Sequence, residues 1–129
     1  MGDQFEFSGD FRGAIVNIKS TLKNVQQSIG DIPSGDDASK EDLIKLIENL
    51  EVILEKAPQE KTEQAQAVAQ TAQALVEQAK TDKPNKTMLQ ITGEGLKRAA
   101  QNLAEVMPAV VTIASQIVMA IGRLTGNPM

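Results

Sequence analysis

From Ile15 to Leu124 the apolar residues recur mainly at steps of three and four, the period of helices with one covered face. Ile15, Ile18, Leu22, Val25 and Ile29 make the first stripe, and Gly30 followed by Pro33-Ser34-Gly35 ends it. Its start has two readings: β-branched Ile15 and Val16 close a strand with Asn17 as the N-cap, or they already belong to the first turn. Ser39 and Asp42 resemble a capping box ahead of a second helix, whose apolar face of Leu43, Ile44, Leu46, Ile47, Leu50, Ile53 and Leu54 is wide enough to require deep burial. Pro58 disfavours helical geometry at Ala57 and places a turn or sharp kink there.

A third helix is expected over about 59–82, with Ala65, Val68, Ala72, Leu75 and Ala79 as its stripe. Alanine favours the helix and offers little apolar area, so this helix should lie close to its neighbours. After Lys83-Pro84-Asn85 one pattern persists through Leu89, Thr92, Leu96, Ala99, Leu103, Val106, Val110, Ile113, Ile117, Ala120 and Leu124. A continuous helix of that length would span roughly 60 Å, and Gly93, Gly95 or Pro108 is expected to kink or break it. From Met107 a second stripe of Met107, Val111, Ala114, Val118 and Ile121 runs beside the first. A helix apolar on two sides must be covered on both, either at the centre of a bundle or by another molecule.

Ahead of these helices, Phe5, Phe7 and Phe11 are the chain's only aromatic residues. Phe5 and Phe7 alternate with Gln4 and Glu6 as in a strand, Ser8-Gly9-Asp10 reads as a turn, and Phe11 to Val16 forms a possible second strand. An isolated hairpin is marginal in water, so the three rings either plug one end of the helical core or dock on a neighbouring chain.

The fold class expected is all-α: about four helices in an antiparallel bundle, a long C-terminal helix with a kink or break, and a short extended or hairpin N-terminal segment. Residues 1–129 form one domain, with 1–14 as the extended segment and 15–125 as the bundle.

Composition narrows the chemistry. The chain has neither cysteine nor histidine, which removes thiol nucleophiles, imidazole and thiolate metal sites and every His-dependent triad. No catalytic residue, cofactor site or metal site is assigned. Gly93-Glu94-Gly95 begins like a dinucleotide loop but lacks its third glycine and a preceding strand. Glu48, Glu51 and Glu55 form a carboxylate ladder of the kind that faces water, with no acid partner in sight.

The net charge of −4 is uneven: 36–63 carries nine acidic groups against four lysines, and 85–129 four basic groups against two acidic. No basic patch suits nucleic acid. The acidic N-terminus lacks an apolar signal core, and the absence of cysteine suits a cytoplasmic location.

The segments FSGDFRGAIVNIKSTL at 7–22 and KPNKTMLQITGEGLKRAAQN at 83–102, followed by VMP at 106–108, resemble a small, functionally uncharacterised helical family of cyanobacteria and related bacteria. The resemblance covers most of the chain and implies no enzyme activity and no cofactor. It implies an adaptor or assembly role in bacterial signalling or defence.

The leading functional reading is a non-enzymatic interaction or self-assembly module, a homo-oligomer of closed or filamentous form, with a heterologous protein partner as the other possibility. Phe5, Phe7 and Phe11 would dock, and Met107, Val111, Ala114, Val118 and Ile121 would make a helix-to-helix contact. The alternative is a membrane-active domain whose C-terminal helix inserts when triggered. The 17 uncharged residues between Glu105 and Arg123 would span roughly 25 Å, short of a hydrocarbon core of about 30 Å.

Overall fold

The computed structural model describes residues 2–126, with side chains from Gly13 onward. Five α-helices are present among them: α1 (Gly2–Gly30), α2 (Asp37–Leu54), α3 (Thr62–Ala79), α4 (Lys86–Gln101) and α5 (Pro108–Thr125), with a single 3₁₀ turn at Gln59–Lys61 leading into α3.

No strand occurs among the described residues, and the expected N-terminal hairpin is replaced by the first turns of α1. The alternation at Phe5 and Phe7 is too short to define a strand. Counted with a step of three or four, Phe7, Phe11 and Ala14 run straight into the buried stripe of Ile18, Leu22, Val25 and Ile29. A hairpin without a third strand or a covering sheet is also the less stable alternative. Asn17 is accordingly an exposed position within a helix and caps nothing.

The second difference is helix number. The long C-terminal pattern is divided at Pro108, so that α4 and α5 are separate helices joined by a turn over 102–107. Pro108 lacks the N–H that a continuous helix would need, and it occupies the first turn of α5, where that group has no intrahelical partner anyway. The amides of Leu103 and Met107 donate to Ala100 O (2.9 Å) and Leu103 O (2.7 Å), closing the turn. Gly93 and Gly95 stay inside α4 without interrupting it. Capping also differs from expectation: Asp36, not Ser39, is the N-cap of α2, its carboxylate accepting from the Ser39 amide at 2.9 Å. Hydrogen bonds from Ser39 hold the Asp36 carboxyl below its ordinary pKa of 3.8. Asn85 does the same for α4, accepting from the Met88 amide at 3.1 Å.

The helices pack as a ring in which α1 touches α2 and α3, α3 touches α4, α4 touches α5 and α5 returns to α2, with α3 and α5 also touching across it. Each helix turns its stripe inward: Ile18 and Leu22 from α1, Ile47 and Leu50 from α2, Val68 and Leu75 from α3, Leu89 and Leu96 from α4, Ile117 and Ile121 from α5. No polar or charged residue is buried among the described residues, so this core rests on apolar burial and close packing. The alanines of α3 (Ala65, Ala69, Ala72 and Ala79) are buried and let it lie against both α1 and α4.

Two contacts set direction. Lys19 of α1 pairs with Glu55, just past the end of α2, at 3.3 Å, while residues 31–36 join the opposite ends of these helices; α1 and α2 are therefore antiparallel. Leu124, near the end of α5, lies against Gly35, just before the start of α2, so these two helices also run in opposite directions.

Gly35 and Gly95 make a contrasting pair of tests. Gly35 has φ +87°, and a Cβ there would overlap the buried Leu124 side chain. Gly35→Ala is expected to lower stability by about 1–3 kcal/mol through left-handed strain and displacement of Leu124. Gly95 lies inside α4, where an added Cβ would meet no atom within 4 Å. Gly95→Ala should raise stability by about 0.4–1 kcal/mol. Urea denaturation of both variants checks the opposite signs.

Candidate functional site

The lengths of the helices locate the first candidate surface. An α-helix rises 1.5 Å per residue, so the 29 residues of α1 span about 44 Å and the 18 residues of α2 or α3 about 27 Å. The buried stripe of α1, from Ala14 to Ile29, spans about 23 Å and thus matches its neighbours. The Lys19–Glu55 pair puts the end of α2 level with the middle of α1. About three turns of α1, carrying Phe5, Phe7 and Phe11, are therefore surplus to the length that α2 and α3 can flank. The side chains of these three residues lie outside the described residues.

Counting about 100° per residue, Phe7 and Phe11 continue the apolar stripe of α1, and Phe5 falls about 120° from Phe11. Asp3, Glu6 and Asp10, spaced by three and four, form an acidic row bordering the stripe.

The second stripe of α5, expected to make a helix-to-helix contact, lies largely inside this chain. Met107, Ala114, Val118 and Ile121 are buried within this chain, and Val111 is half-buried. Their helix-to-helix contact is internal, because α5 packs on both α4 and α2. A helix flanked on two sides needs two apolar stripes.

An open groove of about 350 Å³ between α2 and α5 had no counterpart in the sequence reading. Leu46 and Met119 supply its apolar surface; Asp42, Lys45 and Asn49 of α2 and Gln116 and Arg123 of α5 supply the polar part. Met119 is 55% exposed. It interrupts a row on α5 whose other members, Thr112, Gln116 and Arg123, are exposed and polar at the same three-four spacing. That break in the polar row was the available signal. The ion pairs among the described residues are Lys19–Glu55 and Lys80–Glu77, leaving Lys45 and Arg123 without a carboxylate within salt-bridge distance there.

A smaller cleft of about 200 Å³ lies beside Gln90, Glu94, Lys97 and Val118 on the α4–α5 side. Of the carboxylate ladder on α2, Glu48 is exposed, Glu51 is half-buried and Glu55 is engaged by Lys19. α5 is long and apolar enough to cross a membrane by length and composition, with 44% of its residues buried inside the structure.

No family model, curated protein or solved structure matches this chain.

Proposed function

We propose that this protein is a non-enzymatic self-assembly module, in which the first turns of α1 are the contact that one chain offers to another. The observation that carries the reading is the length mismatch: α1 outruns the helices beside it, and its surplus turns hold every aromatic residue of the chain. Aromatic side chains bury large areas and anchor interfaces at little conformational cost. An apolar stripe on a helix longer than its neighbours is a ready contact for a second copy.

Deletion of residues 1–11 tests the reading. The shortened chain retains every described buried residue from Ala14 onward, so its helical circular dichroism and cooperative melting should persist. Light scattering over a concentration series should show the intact chain associating and the shortened chain remaining at the mass of one chain. Equal masses for the two chains at every concentration would refute the proposal.

A second reading, insertion of α5 into a bilayer on triggering, draws on the apolar character of that helix. Leakage of dye from anionic vesicles, abolished by Met119→Asp on the exposed face of α5, would favour it over assembly.

A further inference from the structure

Resting on the assembly reading, we infer that the receptor for the surplus turns of α1 is the α2–α5 groove of a second copy, so that association is head-to-tail. Three observations support this pairing. The first is reach. Residues 2–12 extend α1 past the C-terminal end of α2, whereas the groove lies along the middle of α2, from Asp42 to Asn49. Phe7 and the middle of the groove are about 30 Å apart along the bundle axis in one chain. A helix continuous with α1 cannot fold back across that distance, so the contact can form only between chains.

The second observation is charge. The segment carries Asp3, Glu6 and Asp10 against Arg12, and the groove carries Lys45 and Arg123 against Asp42, so the two balances have opposite sign. The acidic row borders the Phe7–Phe11 stripe, as the cations of the groove border Leu46 and Met119. Such an arrangement favours one orientation and disfavours pairing of two like segments. The third is fit. The groove residues on α2, from Asp42 to Asn49, run along about 10 Å of helix, enough for the single turn that separates Phe7 from Phe11.

A donor segment at one end of the molecule and a receptor on another face make a heterologous contact. It propagates unless the rotation between copies closes a ring.

Complementary half-molecules test the inference. The chain lacking residues 1–11 keeps the groove and has no segment; the chain with Lys45→Glu and Arg123→Glu keeps the segment and has a reversed groove. Both substituted residues are exposed. Each half-molecule should have the mass of one chain alone. Mixed, the two should form a complex of two chains that grows no further, and adding Asp3→Lys, Glu6→Lys and Asp10→Lys to the groove-reversed chain should restore its self-association.

If the groove-reversed chain associates as strongly as the intact one while the shortened chain does not, assembly stands and the groove is excluded as its receptor. That result would indicate a symmetric pairing of α1 segments. An intact chain that is a single chain at all concentrations would instead overturn the assembly reading itself. The gentler pair Lys45→Gln and Arg123→Gln, with unchanged melting, should weaken association at least tenfold and serves as the control against misfolding.

Discussion

Leu22→Ala is expected to lower the stability of the chain by about 2–5 kcal/mol, and its melting temperature by roughly 7–18 °C. Leu22 is fully buried on α1, which packs against both α2 and α3, and alanine there would leave a cavity in that core. Small domains have about 5–15 kcal/mol in total, so the loss is a large share of it. Val52→Ala is the matched comparison. Val52 also sits on a helix and is apolar, but it is 52% exposed, and its truncation should change stability by no more than about 0.5 kcal/mol. Guanidinium denaturation of the two variants measures the contrast; equal effects would contradict the core as described.

The second large effect concerns association. Phe7→Ala and Phe11→Ala should each weaken self-association by at least about 2 kcal/mol, some thirtyfold, as expected when a buried aromatic anchor is lost. Phe5→Ala should have a smaller effect, because Phe5 falls about 140° away from the centre of the stripe that continues into Ala14 and Ile18. None of the three should alter the denaturation midpoint of a dilute sample. Sedimentation of the three variants against the intact chain reads the order. An effect of Phe5→Ala equal to the other two would point to a hydrophobic end without helical register.

The buried stripes of the helices could be read almost directly from spacing, because a covered helical face leaves a three-four pattern that survives without any tertiary information. Ile18, Leu22, Val25 and Ile29 illustrate this, as do Val68, Ala72 and Leu75. In the N-terminal segment two phenylalanines two residues apart satisfy a strand period as readily as a helix flank, so the spacing of that pair alone points to a hairpin. Phe11, four residues after Phe7, was the deciding signal.

Pro108 marks a break in the helical pattern, but spacing does not separate a kink from a full turn. Met107, Leu103 and Ala100 close the chain through backbone hydrogen bonds that leave no trace in residue pattern. The second stripe of α5 likewise has two meanings in the sequence, an internal face or a docking face, and only the packing of the helices decides between them. Packing on α2 as well as α4 makes Ala114, Val118 and Ile121 internal. The α2–α5 groove was the least legible feature. It joins residues some seventy positions apart, and only the antiparallel placement of these two helices brings Lys45 and Leu46 alongside Met119 and Arg123.

Whether the chain associates with itself is read from the mass of the intact protein in solution, measured by sedimentation equilibrium from micromolar to near-millimolar concentration. The weight-average mass should begin near the 13.8 kDa of one chain and rise with concentration. A mass that stays at one chain over the whole range, with the protein folded throughout, would contradict self-association.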